Sequence, residues 1–153
     1  MTPGGGDRRS KRSRSGRAVG PLILVADASL VVAHLAGRPP NGVDPVREIL
    51  TASEHTVVMT AVVVSDSLDL LERTLDTDRR HIATSIRSLI AHDTVRCVDA
   101  ETVMRAIEIY ESDDIRFPTA HAIAVAETSE ADGVASIDAD VDRVGTVRRI
   151  PQL

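Results

Sequence analysis

The sequence predicts an α/β sandwich built on a parallel sheet. Three observations predict it: short apolar runs of strand length recur along the chain, segments with apolar residues at helical spacing separate them, and two of the runs end directly on an aspartate. Alternating strands and helices bury a parallel sheet beneath helices, and ligands of such sheets bind beyond the carboxyl ends of the strands.

The first element is Leu22-Ile23-Leu24-Val25-Ala26, a continuous apolar run that reads as a buried parallel strand ending at Asp27. Ser29 to Ala36 then reads as a helix, Gly37 to Gly42 as a loop, and Asp44 to Ala52 as a second helix with Pro45 near its start. Thr56 to Thr60 is the next strand. It leads into a helix over Ala61 to Leu75, with Val64, Leu68 and Leu71 on one face. Asp78 opens a further helix through Ile82, Ile86, Leu89 and Ile90. A strand at Val95 to Val98 and a helix from Ala100 to about Glu111 follow. Pro118 suits the first turn of a helix running to Glu130. Gly133 to Ile137 is a short strand that also ends on an aspartate, Asp138, and a weak strand near Val147 to Ile150 closes the pattern.

The chain has 153 residues and 42% hydrophobic content, enough for one core of ordinary size. Residues 1–20 form a Gly-, Ser- and Arg-rich leader with almost nothing to bury, expected to be disordered, and residues 21–153 form the domain. The leader carries six cationic side chains against Asp7, or +5, so the formal net charge of −5 leaves −10 for everything after Gly20. An acidic body does not attract polyanions through its overall field. Nucleic-acid binding would need metal ions, a local arginine patch, the leader or a basic partner. Aromatic residues make up only 1%, which leaves no platform for stacked bases.

Cys97 is the only cysteine, excluding an intramolecular disulfide and a multi-cysteine zinc site, and its β-like surroundings suit a buried structural thiol in a reducing, cytoplasmic setting. No apolar stretch reaches the length of a spanning helix, so a soluble protein without membrane attachment is expected.

Asp27 and Asp138 both follow short strands, which places them at one carboxyl edge if the sheet is parallel. Asp66 lies about one and a half turns into its helix, where its side chain reaches back over the same edge. Convergent carboxylates suit Mg²⁺ or Mn²⁺, since hard divalent ions prefer oxygen ligands. Each acid also has a plain structural role open to it: Asp27 as a helix cap, Asp66 as a solvated helix residue, Asp138 and Asp140 as caps of the following turn.

Val25-Ala26-Asp27-Ala28-Ser29-Leu30-Val31-Val32 resembles the opening strand and first acid of PIN domains. Ser65-Asp66-Ser67-Leu68-Asp69-Leu70-Leu71-Glu72-Arg73 resembles their second-acid helix, with Asp66 where Glu is usual, and Ala135-Ser136-Ile137-Asp138-Ala139-Asp140 their late acidic segment. The resemblance implies a three-layer α/β/α sandwich with a central parallel sheet and a metal-dependent ribonuclease like the VapC-type toxins of type II toxin–antitoxin pairs. Asp27, Asp66 and Asp138 would be catalytic and metal-holding, with Asp140 as a further ligand and Ser29 and Ser136 as supporting hydroxyls. RNA would be the substrate, an antitoxin the partner and a homodimer the assembly. One departure stands out: Phe117-Pro118-Thr119-Ala120 places Thr119 where the family carries an acid, and a neutral hydroxyl supplies no charge to a cation.

Asp113 and Asp114, just before this helix, are candidate substitutes for the missing acid, with solvated loop acids as the commoner reading. His121 is a candidate ligand or base whose alternative is packing, while His34, His55, His81 and His92 have no common spacing. Two other function classes are weighed beside the ribonuclease. One is a catalytically degenerate domain that binds RNA or protein. The other is a phosphoryl-accepting receiver, disfavoured because the single lysine, Lys11, lies in the leader.

Overall fold

The computed structural model describes residues 20–37, 47–48 and 54–151. The leader and the helix expected over Asp44 to Ala52 lie outside the described residues, apart from Gly20 and the helical pair Arg47 and Glu48.

The strand and helix alternation is as predicted, forming an α/β sandwich. The order is β1 (Ile23–Val25), α1 (Ala28–Leu35), β2 (Thr56–Met59), α2 (Ala61–Thr74), α3 (Arg79–Ile90), β3 (Val95–Cys97), α4 (Ala100–Ser112), α5 (Phe117–Thr128), β4 (Val134–Ala135) and β5 (Arg149–Ile150). Helix starts follow from local chemistry. Thr60 Oγ1 accepts from Val63 N at 3.3 Å and Asp78 Oδ1 from His81 N at 2.7 Å, each satisfying a first-turn N–H that the helix itself leaves bare. Pro118 occupies the first turn of α5, where its missing N–H costs nothing.

The central sheet is parallel in the order β1-β2-β3, with Leu24 opposite Val57 and Met59 opposite Cys97. β2 is buried on both faces through Val57, Val58 and Met59. Over it lie the apolar faces of the helices: Val64, Leu68 and Leu71 of α2, Ile82, Ile86 and Leu89 of α3, Ile107 and Tyr110 of α4, and Ile123 of α5. Full burial of such side chains contributes about 1.5–3 kcal/mol each. Alanines 106, 120 and 124 are fully buried where α4 and α5 pack, so the two helices meet with little side-chain bulk between them.

The expectation of a buried first strand is corrected. Ile23 and Val25, which share one face of β1, are each 71% exposed, so that face is left uncovered; among the described residues β1 pairs with β2 alone. The sheet is also divided: β4 and β5 pair with each other in a separate parallel two-stranded sheet, Val134 opposite Arg149 and Ala135 opposite Ile150. The strand expected over Gly133 to Ile137 shrinks to two residues. After it, Asp138 caps an unforeseen 3-10 turn, Ala139–Arg143, whose Val141 anchors it in the core. Gly133 is required at the head of β4, since a Cβ there would stand 2.3 Å from Arg148 O. Cys97 is half-buried rather than buried.

Candidate active site

Asp27 stands at the end of β1 and caps α1. Its Oδ2 accepts from Ser29 N at 3.1 Å and from Ser29 Oγ at 2.5 Å. Both bonds favour the ionised form. The Ser29 hydroxyl first, and its backbone N–H second, hold the Asp27 carboxyl below the usual range. The structural and functional readings of Asp27 are thus compatible: one oxygen serves the cap while the group stays charged and exposed.

Asp138 follows β4 and is held by three contacts. Its N–H donates to Ser136 Oγ at 2.9 Å, its Oδ1 accepts from Asp140 N at 3.0 Å, and its Oδ2 accepts from Thr119 Oγ1 at 3.1 Å. The last contact bridges nineteen positions and joins α5 to the late strand end. Thr119, singled out as the gap in the acidic set, therefore touches one of the acids it would have accompanied. Asp140 is half-buried, with Oδ1 3.6 Å from the Arg143 guanidinium.

Asp66 is exposed on α2 and lines a cavity of about 170 Å³ together with Asp69, Glu72, Tyr110, Arg116 and Phe117. Two of these acids have partners. Asp69 pairs with Arg73, and Glu72 pairs with Arg79 at 3.0 Å and accepts the Tyr110 hydroxyl. Burial, first, and the neighbouring Glu72, second, push the Tyr110 hydroxyl well above its ordinary pKa, so it stays a donor at physiological pH.

Arg79 was not foreseen as part of this region. Its guanidinium donates to Tyr110 O at 3.0 Å and to Ile115 O at 2.9 Å, lies 3.4 Å from Asp114 Oδ1, and sits 4.2 Å from the centre of the Tyr110 ring. These partners lie 31 to 36 positions away in sequence, a range over which periodicity carries no signal. The same contacts correct the idea of Asp114 as a substitute acid, since its carboxylate is turned to Arg79. Asp113 caps the end of α4 through its backbone. His121 stacks on Phe117 with ring centres 5.8 Å apart, which assigns it to packing.

Among the described residues, no three His, Cys, Asp or Glu side chains come together closely enough to hold a metal ion. Asp138 is brought to Thr119 and Asp140, whereas Asp27 and Asp66 each stand with other neighbours. The carboxylate oxygens are of the chemistry a hard divalent ion takes, but they do not converge on one point in this structure, and no step through a metal follows from this geometry.

The class defined is a parallel α/β sandwich with one exposed carboxylate just past the end of a strand in each of its two sheets, Asp27 after β1 and Asp138 after β4; these two strand-end segments form its acidic rim. The PIN domain family matches residues 24–147, and the chain belongs to it. Nuclease activity is the general character of that family, and its members generally use divalent metals. No curated protein and no solved structure matches the chain. Among the described residues no helix is long and apolar enough to cross a membrane.

Proposed function

We propose that the chain is an endoribonuclease that hydrolyses RNA phosphodiester bonds with Mg²⁺ or Mn²⁺, acting in the cytoplasm as the toxin of a type II toxin–antitoxin pair and working as a homodimer. Family membership and the set of acids support this reading. The observation that carries it is the PIN-domain match over residues 24–147, with Asp27 exposed at the end of β1 and kept ionised by Ser29. Asp27, Asp66, Asp138 and Asp140 are the oxygen donors a divalent ion would draw on. The ion, when bound, would supply positive charge to the phosphate and acidify a water.

The contact between Thr119 and Asp138 favours a second reading. A hydroxyl in place of an acid, with Asp138 already engaged, suits a domain that has kept the fold as an RNA- or protein-binding module without turnover. Mn²⁺-dependent cleavage of RNA decides between them. On the first reading the wild type cleaves RNA and Asp27→Ala slows it at least about a hundredfold, as expected when a group central to charge stabilisation is lost. Thr119→Asp raises metal affinity by about tenfold or more. Equal cleavage by wild type and Asp27→Ala sinks the site. Absent cleavage in wild type that appears in Thr119→Asp establishes the second reading.

A further inference from the structure

The arginines of this domain are mostly spent on carboxylates. Arg73 pairs with Asp69, Arg79 with Glu72 and Asp114, Arg80 and Arg87 with Glu111, Arg105 with Glu108 and Glu127, Arg143 with Asp140, and Arg149 with Asp142. Arg116 is different. It makes no hydrogen bond or ion pair through its side chain among the described residues, is exposed, and lines the cavity next to Asp66. Pairing within that cavity cancels Asp69 with Arg73 and Glu72 with Arg79, which leaves Asp66 and Arg116 as its two uncompensated charges. Thr119 follows Arg116 by three positions at the start of α5, so the two lie on one side of that helix start, and Thr119 reaches Asp138. Arg116 thus lines the cavity of Asp66 at the start of the same helix whose Thr119 reaches Asp138. Its backbone is fixed from below, because Arg79 holds the carbonyl of Ile115 immediately before it.

We propose that Arg116, with the cavity it lines beside Asp66, forms a seat for a phosphodiester group of single-stranded RNA lying across the acidic rim. The chemistry is that of a guanidinium, whose planar fork matches two phosphate oxygens and which sheds its hydration more readily than an ammonium. The need for such a seat follows from charge. A body of net −10 after Gly20 repels a polyanion, so a strand approaching the rim requires a cation placed at the rim and not already neutralised. Arg96 and Arg148 are also without side-chain partners among the described residues, but neither lines the cavity, which makes them controls for nonspecific attraction.

The inference rests on the reading that the chain engages RNA, and its test needs no cleavage. Binding of a short labelled single-stranded RNA to the full chain is measured in EDTA over a range of salt for wild type, Arg116→Ala, Arg116→Lys and Arg148→Ala. Loss of one phosphate contact weakens binding about fivefold at low salt and flattens the dependence of log Kd on log salt by about 0.7, the increment for one contact to a single strand. Arg116→Ala should show both changes, Arg116→Lys should recover the salt slope but not all the affinity, and Arg148→Ala should match wild type. A single-stranded DNA of the same sequence losing the same increment assigns the contact to the phosphodiester and not to the ribose. Equal losses in Arg116→Ala and Arg148→Ala, or wild-type affinity in Arg116→Ala, overturn the proposal. If wild type does not cleave but Arg116→Ala still loses its increment, the catalytic reading falls and the seat stands. If wild type binds no RNA in EDTA, the seat falls, and the Mn²⁺-dependent cleavage assay alone decides the catalytic reading.

Discussion

The helix layer around Arg79 and the rim that carries Asp27 and Asp138 treat charge in opposite ways. In the helix layer, one guanidinium joins the ends of α2 and α4 to the loop before α5, and each carboxylate near it has a cationic or hydroxyl partner. On the rim, Asp27 and Asp138 are exposed and held only by hydroxyls and by N–H groups of their own turns. The difference teaches where stability and reactivity are kept. Neutralised charges over a dense core stabilise the fold, while uncompensated carboxylates on short elements leave negative charge available to a cation. Substitutions on the rim should therefore cost the fold less than substitutions in the helix layer.

The largest expected effect tests that division. Arg79→Met removes the donor to two carbonyls and leaves Glu72 and Asp114 without their cation, and should cost about 3 kcal/mol in urea unfolding. A loss below about 0.5 kcal/mol would mean the guanidinium is not what holds the layer together.

Gly133→Ala sharpens the comparison from the other side. A methyl group would have to displace the Arg148 carbonyl, at 2.3 Å, by parting β5 from β4, which underlies Asp138. Because this small sheet touches the core only through half-buried side chains such as Val134, the cost should be about 1–2 kcal/mol. Hydrogen exchange should rise at Val134 and Ser136, whose N–H groups donate to the carbonyls of Arg148 and Ile150, while α3 and α4 stay protected. Uniform loss of protection across the molecule would show that rim and helix layer are one cooperative unit.

Much of the architecture was legible in the sequence because its signals are local. Asp78 and Pro118 mark helix starts within a few residues of the hydrogen bonds or ring geometry that make them so. Asp27 and Asp138 were placed at strand ends by the apolar runs before them. What failed depends on distant partners. The run Leu22 to Ala26 signals burial on both faces, yet whether Ile23 and Val25 are covered depends on what lies beside and above β1, not on their own identity. The division of the sheet has the same origin, since two-residue strands such as β4 carry almost no periodic signal. In the site, Thr119 was legible as a departure from a pattern. Its bond to Asp138 and the reach of Arg79 were not, because nothing local to either residue encodes its partner.

The smallest expected effect compares one carboxylate from each region by titration. Glu127 belongs to the braced part of the molecule: Arg105 grips both its oxygens, at 2.7 and 3.0 Å, and Thr146 donates to one of them. The Arg105 guanidinium holds the Glu127 carboxyl below its ordinary range, as Ser29 does for Asp27. For both groups the folded value lies below the unfolded one, so each contributes stability that is fully present above the unfolded value and lost as pH falls through the folded value. Unfolding free energy should therefore decline from about pH 5 downward. Glu127→Gln should lower stability at pH 7 by about 1 kcal/mol, as for a half-buried bidentate pair still screened by solvent, and flatten the acid limb. Asp27→Asn should flatten it less, because Asp27 is fully solvated and bound only within its own turn. An acid limb changed more by Asp27→Asn than by Glu127→Gln would mean that the rim, and not the helix layer, holds the acid-sensitive stability, and the contrast between the two regions would have to be reversed.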